Sequence, residues 1–160
     1  MTVAAGRLRI VAIGRDTTGP ETELLRRYAA RLRPPPELIA LPDGHGSPVE
    51  IKRREAEAIL KRLGAGDFVI ALDQAGSAPD SLGLAAQLAR WRETGRALAF
   101  VIGGAEGLDG AVIGRAEATL SLGRLTFPHL LARAILAEQL YRAQSILDGH
   151  PYHRAGRPTR

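Results

Sequence analysis

The chain has 160 residues, a length suited to one domain built around one hydrophobic core. With 45% apolar and 24% charged residues it has the composition of a globular protein rather than a disordered one, and no apolar run approaches the roughly 20 residues needed to cross a bilayer. Zero cysteines exclude disulfides, thiolate zinc sites and cysteine nucleophiles and fit a cytoplasmic protein, while a net charge of +5 favours a polyanionic partner, most clearly where basic residues cluster at 150–160.

The opening MTVAAGRLRIVAIG has a short apolar run broken by Arg7 and Arg9 and no small-residue cleavage site. It therefore reads as a strand over residues 7–13 rather than as a leader. A helix follows over 22–32, with Leu24, Leu25, Tyr28 and Leu32 on one face, and Pro34, Pro35 and Pro36 stop it. Residues 38–41 form a short second strand. Residues 48–63 form a helix with Ile51, Ala58, Ile59 and Leu63 spaced for burial, closed by Gly64.

The near-continuous apolar run DFVIAL (67–72) predicts a strand buried on both faces. Asp80 or Ser81 caps a helix to about residue 93, ended by Gly95. ALAFVI (97–102) is a fourth strand, broken by Gly103 and Gly104; after a glycine-punctuated stretch, ATLSL (118–122) is a fifth. The longest helix runs from 128 to about 147, before Gly149 and Pro151. This alternation predicts one α/β domain over 1–160, a mostly parallel sheet with helices on both faces, and a short basic tail at 150–160.

Several familiar motifs are absent or incomplete. Gly14–Gly19 follows the first strand, but Pro20 and Glu21 stand where a phosphate loop needs Lys and Ser/Thr. No G-x-G-x-x-G follows that strand and no G-x-S-x-G elbow is present, which argues against a dinucleotide fold and an α/β-hydrolase. His150 and His153 have no thiol and no acidic cluster near them, so no metal site is expected.

Ligands of open parallel sheets bind at the carboxyl ends of strands. Three such ends here are irregular: Leu72-Asp73 with QAGSAPD, Gly103-Gly104-Ala105-Glu106-Gly107, and Gly123-Arg124-Leu125-Thr126-Phe127-Pro128. Glycine there lets main-chain groups approach a ligand closely enough to read a purine edge.

FVIGGAEGLDG, SLGRLTFPHLLARAILAEQLYRAQSI and the closing HPYHR resemble the RlmH family, SPOUT-class 23S rRNA pseudouridine N3-methyltransferases. The likeness extends more weakly through LDQAGSAPDS and IKRREAE, and so covers nearly the whole chain. It implies a C-terminal trefoil knot, an obligate homodimer, and S-adenosylmethionine held among the three loops. Leu72, Gly104, Gly123, Arg124, Leu125, Thr126, Phe127 and Pro128 match the family's cofactor positions. It also implies 23S rRNA as substrate, met on the assembled ribosome because the chain carries no appended RNA-binding domain.

Methyl transfer to a uracil-type N3 needs that nitrogen in line with the donor methyl and its weakly held proton removed. The tail supplies the expected catalytic groups by the same resemblance: Tyr152 to stack on a base or donate a hydrogen bond, His153 to accept the proton, and Arg154 to hold a phosphate or a developing oxyanion. Arg154 and Arg157 are the expected RNA contacts. The sequence continues past HPYHR with AGRPTR, which adds Arg157 and Arg160 and provides either further phosphate contacts or a free end. Glu106 is expected to orient its loop, and Trp91 to anchor the core or a dimer contact. The stripe Leu131, Ala134, Ile135 and Leu140 is expected in the core or an interface. Arg133 and Arg142 are placed either at RNA or beside Glu138, the i,i+4 spacing favouring the pair for Arg142. Two other readings stand beside this one: a SPOUT enzyme acting on tRNA, and a non-catalytic RNA- or nucleotide-binding module. Intact cofactor loops and an intact HPYHR weigh against the second.

Overall fold

The computed structural model describes residues 6–15 and 18–154. Its elements in chain order are β1 (Leu8–Ile13), α1 (Pro20–Ala29), β2 (Glu37–Leu41), α2 (Pro48–Arg62), β3 (Phe68–Ser77), α3 (Ser81–Glu93), β4 (Leu98–Ile102), α4 (Gly110–Arg115), β5 (Ala118–Leu120) and α5 (His129–Leu147). The strands form one sheet in the order β2-β1-β4-β3-β5, and every pairing is parallel. The predicted mostly parallel sheet is therefore present.

Alternation along the strands divides the core into two layers, because successive side chains point to opposite faces. On one face Ile10, Ala12, Ile70, Leu98, Phe100 and Ile102 pack with Leu84, Leu88 and Trp91 of α3 and Leu136 and Leu140 of α5. On the other, Val11, Ile13, Val69, Ala99 and Val101 pack with Ala56 and Ile59 of α2 and Val112 of α4. Helices thus cover both faces. Trp91 takes the core place: it is buried and meets Phe100 edge to face at 5.9 Å. Leu140 and Ala134 of the α5 stripe are also buried.

Element boundaries shift for local reasons. Pro20 starts α1 two residues early, since its missing N–H is unneeded in the first turn and its fixed φ suits a helix start. The helix stops at Ala29, short of the prolines, and its exit is pinned to α5 by Gln144. That buried amide donates to Arg31 O and accepts from Arg33 N–H. Of the two candidate caps for α3, Asp80 is the one used, accepting from Gly83 N–H at 2.7 Å. β3 extends to Ser77 through a register shift against β5. Helix α4 lies in the stretch read as loop, where Gly110 and Gly114 mask its pattern; Asp109 caps it.

Candidate active site

The carboxyl ends of β3, β4 and β5 surround a cavity of about 710 Å³, within the range of cofactor pockets. Leu72, Asp73 and Gln74 come from β3, Gly103 to Leu108 from the loop after β4, and Leu122, Gly123 and Leu125 to Pro128 from the loop after β5. His129 and Ala132 of α5 close one side, and Ile102 and Leu120 form an apolar floor. The turn after β4 is tight: Gly107 N–H donates to Gly104 O at 3.0 Å with Gly107 at φ +80°, a conformation that suits glycine. Gly103 has no room for a side chain, since a Cβ there would stand 2.9 Å from the Gly107 carbonyl carbon. Across the cavity mouth, Gln74 Nε2 donates to Thr126 Oγ1 at 2.9 Å and joins two of the three loops. Leu125 is 75% exposed at the lip.

Beside the cavity, the end of β1 is held from below by α5. The Arg133 guanidinium is buried and donates to the carbonyls of Ile13 and Gly14. Gly14 sits at φ +103°, and a Cβ there would stand 2.7 Å from Arg133 Nη2 and 2.9 Å from His129 Nε2. Arg133 is thus a brace for the strand end, and the expectation that it reaches RNA or Glu138 is corrected. It reaches the Ile13 and Gly14 carbonyls because α5 packs under the sheet edge. Glu55 of α2 is also buried at this edge; it accepts from Gly44 N–H at 3.0 Å.

The tail lies elsewhere. Tyr152 OH donates to Glu138 Oε1 at 3.0 Å, and its ring meets Tyr141 edge to face at 4.6 Å. Arg142 bonds to Glu138, confirming the expected i,i+4 pair, and stacks over the Tyr152 ring at 5.0 Å. The same guanidinium donates to His153 Nδ1 at 3.2 Å, so the imidazole bears its proton on Nε2. Burial, hydrogen bonds to Tyr28 and Glu138, and the Glu138 charge raise the Tyr152 phenol above its ordinary range, so it stays protonated.

Leu72, Gly104, Gly123, Leu125, Thr126, Phe127 and Pro128 all line the one cavity. Arg124 does not line it and is exposed. Tyr152, His153 and Arg154 do not line it either; the first two dock on the middle of α5. Arg157 falls outside the described residues. Glu106 lines the cavity and is exposed. Sequence reasoning passed over His129, although it stands in the quoted T-x-PH run. It also passed over Glu55, whose charge in a basic stretch gives no hint of burial. Among the described residues no cluster of three or more His, Cys, Asp or Glu could hold a metal. No helix among them is long and apolar enough to cross a membrane.

A family model described as "Predicted SPOUT methyltransferase" matches residues 7–153. The chain is 72% identical over 158 residues to the ribosomal RNA large subunit methyltransferase H of Acidiphilium cryptum, covering 99% of this chain and 100% of that protein. The chain belongs to this family. The protein of the same name from Gluconacetobacter diazotrophicus is 53% identical over 152 residues, covering 95% of this chain and all of the relative. Among solved structures, a probable methylase family protein from Haemophilus influenzae superposes with a TM-score of 0.58 at 14% identity, covering 97% of this chain and 73% of that one. A probable methyltransferase from Bordetella pertussis gives 0.51 at 18% identity, covering 89% and 99%. These two likenesses concern the fold. Membership of the ribosomal RNA large subunit methyltransferase H family rests on the sequence matches.

Proposed function

We propose that the chain is a single SPOUT domain with a C-terminal trefoil knot, working as a cytoplasmic homodimer that methylates N3 of a pseudouridine in 23S rRNA of the assembled ribosome. The observation that carries this reading is the cavity at the sheet's carboxyl edge, lined by all the family-matched cofactor positions except Arg124. The residues present suit S-adenosylmethionine: a glycine-broken rim that exposes main-chain groups, an apolar floor and a volume of cofactor size. When bound, that cofactor supplies a methyl group made electrophilic by its sulfonium.

The chain's own residues do the rest. Main-chain groups of the Gly103–Gly107 and Gly123–Pro128 loops hold and orient the donor, while Ile102, Leu120 and Leu122 exclude water. The target base must lose its N3 proton as the methyl arrives. Tyr152, held protonated, donates or stacks and is not the base. His153 can accept at Nδ1 only when Arg142 releases it, and Arg154 supplies a cation for phosphate or oxyanion. The tail docks at 138–142, six to ten residues along α5 beyond Ala132, the last cavity-lining residue of that helix, which at 1.5 Å per residue is about 9–15 Å from the cavity wall. That separation supports a tail that serves the cavity of a partner protomer in the homodimer.

A single-turnover assay with labelled S-adenosylmethionine tests the reading on 70S ribosomes, free subunits and tRNA. Label is expected in 23S rRNA of 70S particles, at N3 of one pseudouridine, and to fall sharply with His153→Ala. Label in tRNA instead would remove the ribosomal substrate, and an unchanged rate for His153→Ala would remove that residue as the base.

A further inference from the structure

Glu55 is a carboxylate where a surface helix would ordinarily bury an apolar side chain. Only 4% of the residue is exposed, and it faces the sheet with Ala56 and Ile59. Its Oε2 accepts from Gly44 N–H at 3.0 Å, tying α2 to the β2–α2 loop. Its Oε1 is buried and has no partner. Leaving a buried acceptor unmade costs free energy that an apolar residue of similar size would not.

The group it faces is Gly104. A Cβ on Gly104 would stand 3.1 Å from both carboxylate oxygens and 3.0 Å from Ile13 Cγ2, so the main chain lies directly on the carboxylate with no side chain between. The same glycine lines the cavity. Gly44 is equally close-fitted on the other side of Glu55: a Cβ there would meet Ile51 O at 2.8 Å and Glu55 Cγ at 3.1 Å. The carboxylate is thus wedged between two glycine backbones, one of which is a wall of the donor site.

We propose that Glu55 is a positioning residue for the methyl donor, acting through Gly104, with Oε1 as the acceptor onto which the Gly103–Gly107 turn settles when the donor is bound. The inference rests on the donor occupying this cavity. In the free protein the turn is closed on itself by the Gly107-to-Gly104 bond; the donor presses it from the cavity, and Glu55 limits how far it yields. Helix α2 then contributes to donor affinity without touching the donor.

The test is calorimetry with S-adenosylmethionine on the wild type and on Glu55→Gln, paired with thermal melts of both without ligand. Gln keeps the size and can still accept from Gly44 N–H, but it presents an amide donor where the turn needs an acceptor. The expected result is a melting temperature within a few degrees of wild type and a donor Kd raised about tenfold. A lowered melting temperature with unchanged Kd in the folded fraction would make Glu55 merely structural and overturn the inference. Equal values of both would do the same. No donor binding by the wild type would instead remove the cavity reading, and this inference with it.

Hydrogen exchange on the wild type gives an independent measure should the variant not fold. Saturating donor is expected to slow exchange at the Gly44 amide as well as at residues 103–107. Slowing confined to the loops that line the cavity, with Gly44 unchanged, would overturn the coupling through Glu55.

Discussion

The Tyr152 hydroxyl donates to Glu138 Oε1 at 3.0 Å, fastening the tail to the middle of α5 across fourteen positions of sequence. Its raised phenol pKa means the folded state holds that proton more tightly than the unfolded chain does. The stabilisation is then complete below about pH 10, the unfolded value, and is lost as pH rises from there toward the folded value. Tyr152→Phe removes a bond worth about 1 kcal/mol. In thermal melts the gap between wild type and variant should be constant from pH 7 to 9 and narrow above pH 10. A gap that widens with alkali would contradict the placement of this hydroxyl.

Thr126 and Gln74 join two loops at the mouth of the cavity by one hydrogen bond at 2.9 Å. Thr126→Val keeps the shape and deletes the acceptor. With a loss of about 1 kcal/mol, donor affinity should fall roughly fivefold. Because the bond is exposed, the melting temperature without donor should be unchanged. Calorimetry showing wild-type affinity would mean that the bridge does not shape the site.

Arg133 carries two main-chain carbonyls at the end of β1. Arg133→Leu leaves both buried acceptors unmade, at about 1–3 kcal/mol each, so urea unfolding should show a stability loss of roughly 2–6 kcal/mol. Since the brace lies under the sheet and away from solvent, raising salt should not mimic the loss. A variant as stable as wild type would show that Ile13 and Gly14 find other donors.

At the opposite edge of the sheet, burial works against ionisation of Glu117. The Val69 N–H, the Arg96 guanidinium and the nearby Arg115 outweigh it and hold the carboxyl below its ordinary range. The folded state therefore releases this proton more readily than the unfolded chain. The stability it contributes is present above the unfolded value of about 4.3 and is lost as pH falls through the folded value. Glu117→Gln should melt lower than wild type at pH 7, with the two curves converging below about pH 4. Curves that stay parallel down to pH 2 would refute the assignment.

The middle of the sheet was legible because β4 and the first half of β3 are the fully buried kind. DFVIAL and ALAFVI are near-continuous apolar runs that only a doubly covered parallel strand accommodates. The loops that line the cavity were legible because glycine and proline interrupt those runs at the strand ends, where parallel sheets place ligands. Helix α4 was not, because Gly110 and Gly114 erase its period. Glu55 was not, because nothing local distinguishes a buried glutamate from the solvated charges of IKRREAE.

Local chemistry therefore determined the elements, their alternation and the three loops that carry the family's pattern, since each depends on residues near one another in the chain. Tertiary structure decided which groups those elements bring face to face. It turned Arg133 under β1, set Glu55 against Gly104, and laid Tyr152 and His153 on α5 rather than in the cavity. Such contacts join residues from eleven to 120 positions apart, and their geometry follows from how helices stack on the sheet, which no short-range pattern encodes.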